Sequence, residues 1–120
     1  MNEKPKLKLK SGGQWLVSLI KENHIFCRET FSEQHKDVDK LINDFSREKI
    51  YPNIFKIDKF NEKISKNLLT EMGDLGLLGV DAPEEYGGLN LDKITACIIA
   101  EGVQRGGSAS FGCTFGVQTA

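Results

Sequence analysis

Histidine, tryptophan and proline are scarce in this 120-residue chain, at two, one and three residues. Both histidines, His24 and His35, lie in or beside the N-terminal arm, so a Ser/His/Asp triad has no good candidate. Cys27, Cys97 and Cys113 are odd in number, far apart and without a C-x-x-C pair. Neither a disulfide framework nor a zinc or other metal site is expected, and the three read as buried free thiols. No apolar run approaches the ~20 residues of a membrane span. Neither sign of charge dominates: 16 Lys and Arg face 17 Asp and Glu, a formal net charge of −1. That balance, with no basic patch interleaved with aromatics, gives no case for a nucleic-acid partner. The start MNEKPKLKLK has no apolar h-region, no Arg and no Ser, so neither a secretory signal nor a mitochondrial leader is read there. A cytoplasmic, bacterial protein is expected. Gly102–Ser108 lacks the lysine of a phosphate-binding loop, and no G-x-G-x-x-G follows a strand.

What is present suffices for one small core. The content of 39% hydrophobic and 28% charged residues is that of an ordinary globular chain. Met1–Thr30 reads as an arm, broken at Gly12-Gly13, with an apolar strand or helical turn at Gln14–Ile20. His24 and Cys27 stand at helical spacing, but no second ligand pair accompanies them. Residues 31–120 read as a helical domain. Ser32 can cap a first helix, with Glu33 in its first turn. Val38, Leu41, Ile42 and Phe45 form its apolar stripe, and Pro52 ends it near Ile50. Asn53–Phe60 reads as a linker anchored by Ile54, Phe55, Ile57 and Phe60. A second helix starts near Asn61 and carries Ile64, Leu68, Leu69, Met72 and Leu75.

Gly73–Asp92, GDLGLLGVDAPEEYGGLNLD, organises the rest. Gly73, Gly76 and Gly79 can each take a positive φ. Between them, Leu75, Leu77, Leu78 and Val80 are too apolar for a free surface loop. Pro83 and Gly87-Gly88 turn the chain, and Asn90 and Asp92 can cap the next helix. This is a packed connector that fixes how two helices meet. The third helix, about Asp92–Gln104, is apolar almost all round and expected to be buried on most sides. Glu101 is its exception, expected to face Arg105 at i+4 or the surface rather than to act as an acid. Ser108 can cap a fourth helix. Phe111, Cys113, Phe115 and Val117, however, alternate with Gly112, Thr114, Gly116 and Gln118, which is strand period. Were the segment helical, Gly112 and Gly116 would share one face, leaving either a groove or a site of close helix contact.

The run LGLLGVDAPEEYGGLNLD resembles the connector of the N-terminal helical domain of acyl-CoA dehydrogenases, and the likeness covers roughly Phe31–Ala120. KSGGQWLV, Lys10–Val17, looks like the leader of longer, very-long-chain-type members. The resemblance implies an all-α fold, a partial helical bundle preceded by an irregular arm, with Ser108–Ala120 helical. It implies that Ala120 falls inside the fourth helix and that the chain is the N-terminal portion of a longer polypeptide. FGCTFG, Phe111–Gly116, is similar to VGITLG-like runs in the helix lining the acyl cavity, so Gly112, Phe115, Gly116 and Thr119 become candidate acyl-chain contacts.

The reaction so implied is α,β-desaturation of an acyl-CoA in fatty-acid β-oxidation. A carboxylate takes the α-proton while hydride leaves the β-carbon for the flavin of FAD. Electron-transfer flavoprotein or a similar acceptor, and a homo-oligomeric whole enzyme, are implied by the same resemblance. The glutamate base and most flavin contacts lie in other segments of the family, so no catalytic or cofactor-binding residue is assigned here, and 1–120 alone is expected to be inactive. The competing reading is a stand-alone helical interaction module. A small acyl or CoA carrier is disfavoured because no basic cluster accompanies the groove.

Overall fold

The computed structural model describes residues 27–119, with side chains as far as Gly116. The chain divides into two compact units, Met1–Phe31 and Ser32–Ala120. In the first unit, a 3₁₀ turn at Arg28–Thr30 falls within the described residues. The expected apolar segment at Gln14–Ile20, and His24, lie outside them.

In the second unit, the described residues contain helices and turns and no strand. Helix α1 spans Glu33–Phe45, α2 Ile54–Asp58, α3 Glu62–Asp74, α4 Lys93–Gln104 and α5 Ala109–Thr119. The all-α expectation holds, and the strand-like alternation after Ser108 lies on a helix. The start signals read from sequence are in place. Ser32 accepts from the His35 amide, Asn61 from Ile64, Asp92 from Thr95 and Ser108 from Phe111.

Between α1 and α2 the sequence reading needs correction. Helical winding does not stop before Pro52; it changes pitch. Ser46–Ile50 forms a π turn and Tyr51–Asn53 a 3₁₀ turn. Pro52 sits in the opening turn of a new segment, where its missing N–H is not needed. Asn53 Nδ2 bonds the Lys49 carbonyl at 2.9 Å in place of a backbone donor. The wide π turn offsets the drift of an α-helical face, so Ile50 lines up below Ile42 and Ser46. All three are buried, whereas Leu41 of the expected stripe is 38% exposed. The expected linker is mostly helix α2, and only Ile57 of its four anchors is fully buried. Phe55 and Phe60 are 84% and 85% exposed.

Helices α1 and α4 pack along one another, α5 packs on α4, and α2 contacts α3 and α5. The α1–α4 approach requires glycine. A Cβ on Gly102 would stand 2.4 Å from Ile42 Cγ2. The same approach lets the Ser46 hydroxyl donate to the Gly102 carbonyl at 2.7 Å. That carbonyl is one of the last four of α4, which lack intrahelical partners. The other three accept from the Arg105, Gly106 and Gly107 amides. On the solvent side, Arg105 bridges Glu101 at 2.8 Å to Asp39 and Asn43 of α1. Glu101 therefore pairs with Arg105, as its spacing indicated.

The connector is packed as expected. Leu77 and Val80 are buried, Gly76 and Gly79 take positive φ, and Gly73 is helical. The Asn90 and Leu91 amides return to the Ala82 and Val80 carbonyls at 2.9 and 2.8 Å. Lys93 holds Asp81 across the turn. At its end Asp92 caps α4 and also accepts from His35 Nε2 at 2.9 Å, tying the first turn of α1 to that of α4. His35 Nδ1 accepts from the Ser32 amide at 3.3 Å, which places the ring proton on Nε2. Burial pushes the Asp92 carboxyl upward, but the Thr95 amide and hydroxyl and His35 outweigh it and hold the group below the usual carboxylate range.

Two measurements test these contacts. Gly102→Ala forces a methyl into Ile42 and is expected to cost ~1–3 kcal/mol, read as a lower urea midpoint with an unchanged slope. A depressed carboxyl contributes stability that is complete above the unfolded value and is lost as pH falls through the folded one. Asp92→Asn should therefore lose less stability than the parent below about pH 4, measured by urea titration across pH.

Candidate functional site

The candidate acyl contacts lie on α5, so its placement comes first. Ser108 is buried at 1% exposure and serves two helices. Its hydroxyl accepts from the Phe111 amide at 3.1 Å and donates to Asp58 Oδ1 at 2.7 Å. The carboxylate at the end of α2 thus faces the N-terminus of α5, the favourable polarity for a helix start.

Phe111 and Phe115 point inward, at 0% and 2% exposure, and carry the core contacts of α5. The two glycines differ. A Cβ on Gly112 would stand 2.1 Å from Gln104 Nε2 and 2.4 Å from its Oε1. The space over Gly112 is therefore filled by the Gln104 side chain, as in the close-contact alternative. At Gly116 nothing lies within 4 Å of the corresponding position, so the groove is open one turn further on. The Thr119 side chain lies outside the described residues, although its backbone continues the helix.

The other side of α5 borders an open pocket of about 830 Å³. Ala109, Ser110, Cys113 and Thr114 line it from α5, and Ile57 and Phe60 from α2 and the turn after it. Ser65 and Leu69 of α3 complete the apolar floor, and Glu62 and Lys66 stand at the rim. Those two pair at 2.6 Å; the Lys66 hydrogen bond lowers the Glu62 carboxyl, and Glu62 raises the Lys66 ammonium. Each charge at the rim is answered by its neighbour, so the pocket suits an apolar occupant and not a dinucleotide phosphate. The pattern after Ser108 mixed small and aromatic residues and gave no sign of this second face. Its one legible clue was the spacing of Ala109 and Cys113 at i and i+4.

The cysteines also need correction. Cys97 and Cys113 are exposed and Cys27 is half-buried; none is a buried thiol. Cys97 shares the outward face of α4 with Glu101 and Gln104, and composition alone could not show that nothing covers this face. Among the described residues no cluster of His, Cys, Asp and Glu could hold a metal ion, and no helix is long and apolar enough to cross a membrane.

A family profile described as "Acyl-CoA dehydrogenase, N-terminal domain" matches residues 32–120. A "Probable acyl-CoA dehydrogenase" of Bacillus subtilis (strain 168) is 37% identical over 111 residues, covering 91% of this chain and 19% of the relative. The mitochondrial isovaleryl-CoA dehydrogenase of Solanum tuberosum is 38% identical over 90 residues, 74% of this chain and 22% of that protein. Among solved structures, an acyl-CoA dehydrogenase complexed with FAD from Bacillus anthracis aligns with a TM-score of 0.80 at 40% identity. The alignment covers 88% of this chain and 18% of that one. The chain spans about a fifth of the length of the curated relatives it matches.

Ser108→Ala removes the α5 cap and leaves Asp58 without its donor. It should cost ~1–2 kcal/mol, seen as a fall in melting temperature of at least ~4 °C by circular dichroism.

Proposed function

This chain belongs to the acyl-CoA dehydrogenase family through its N-terminal domain, and from that premise we propose that it builds one wall of the acyl-chain cavity in an FAD-dependent enzyme that desaturates acyl-CoA thioesters. The observation carrying this reading is the agreement of both sequence and helix order over residues 32–120 with that domain.

The wall is the face of α5 bearing Gly112, Phe115, Gly116 and Thr119, at i, i+3, i+4 and i+7. Gly116 is its open point, and Phe115 is its packed backing. A fatty tail needs only shape and apolar surface here, at about 0.8 kcal/mol per buried CH₂. The alignment of helices, set by the α1–α4 contact and the Ser108 cap, holds that wall rigid while the rest of the enzyme positions the thioester. FAD, when bound in the whole enzyme, supplies the hydride acceptor. The described residues build no flavin site, and neither a flavin contact nor the proton-abstracting carboxylate is assigned to this chain. Fatty-acid β-oxidation, a cytoplasmic location, electron-transfer flavoprotein or a similar acceptor, and a homo-oligomeric assembly belong to the same proposal for the whole enzyme.

The test joins residues 1–120 to the flavin-binding segments of the Bacillus subtilis relative. The chimera should purify yellow and reduce an electron-accepting dye with acyl-CoA, whereas 1–120 alone should do neither. A colourless, inactive chimera that folds, or dye reduction by 1–120 alone, overturns the proposal.

A further inference from the structure

We infer that Gln104 sets the depth of the acyl groove at its Gly112 end. This rests on the reading of α5 as an acyl wall and adds a residue from the neighbouring helix. Gln104 is the last residue of α4, on its solvent face. Its amide reaches across to α5 and occupies the position a Gly112 side chain would take, with Cδ, Oε1 and Nε2 all within 2.5 Å of that point. Gly112 is buried beneath it, while Gly116, one turn along the same face, has open space above it.

The groove is therefore interrupted by a side chain and not by helix backbone. A polar amide over a glycine floor is a poor neighbour for a methyl terminus, because burying the amide without a partner is unfavourable. An acyl tail entering past Gly116 would have to stop short of Gln104 or displace it. Removing the side chain joins the space over Gly112 to that over Gly116 and leaves Phe111 and Phe115 untouched, since both face the core. Each further methylene accommodated is worth about fourfold in affinity.

The experiment uses Gln104→Ala, Gln104→Ser and Gln104→Met. In the 120-residue chain, palmitoyl-CoA titrated by calorimetry should bind the Ala and Ser variants at least fourfold more tightly than the parent. The Met variant, similar in length but without the amide, should stay within about twofold, since it still fills the space. In the chimera, Gln104→Ala should raise kcat/KM for palmitoyl-CoA relative to octanoyl-CoA by the same factor. Equal affinity of the parent, Ala and Ser chains for palmitoyl-CoA overturns the inference whatever the chimera does. Tighter binding by the small variants with no turnover in any folded chimera overturns the desaturase reading and leaves the groove assignment standing.

Discussion

The absence of a side chain at Gly102 is the constraint on which the helix arrangement rests. It lets Ile42 of α1 sit against the α4 backbone, and any Cβ there would intrude on that side chain. From the same contact comes the Ser46 bond to the Gly102 carbonyl, which a wider helix separation would break. Apolar burial of Ile42, Ile50, Ile99 and Val103 supplies the driving force, and the missing methyl decides the spacing. The pitch change at Ser46–Ile50 serves that spacing as well, because it keeps Ile50 on the face that Ile42 began.

From this pair the chain is tied at its helix starts. Asp92 caps α4 and takes the His35 proton donor from α1; Ser108 caps α5 and reaches Asp58 of α2. Each cap satisfies an orphan amide and also links two elements distant in sequence. The rim pair Glu62–Lys66, by contrast, is solvent-exposed and worth little to folding. Its role is local, neutralising the edge of the pocket beside α5.

Helix starts were legible in the sequence because capping is a local rule: Ser32, Asn61, Asp92 and Ser108 each precede the helix they begin. The glycine-rich connector was legible for the same reason. What depended on partners was not. Leu41 and Ile42 are both apolar neighbours on one helix, and only the position of α4 decides that Ile42 is buried and Leu41 exposed. Pro52 was read as a stop because the rule for the preceding residue does not foresee a π turn followed by a 3₁₀ turn. The helical state of Ala109–Thr119 ran against its own alternation and was reached through family likeness, with Ser108 as the local support. At the candidate site, the glycine spacing was visible, but Gln104 was not, since it stands on a different helix.

The two outward thiols have a practical consequence. Cys97 projects from α4 and Cys113 from α5, both accessible to water. Once Cys27 is changed to serine, maleimide fluorophores or nitroxides can be attached to adjoining helices without introducing a foreign residue. The separation of such a pair would report directly on whether α5 shifts against α4 when a hydrophobic tail arrives, giving the wild-type surface its own molecular ruler.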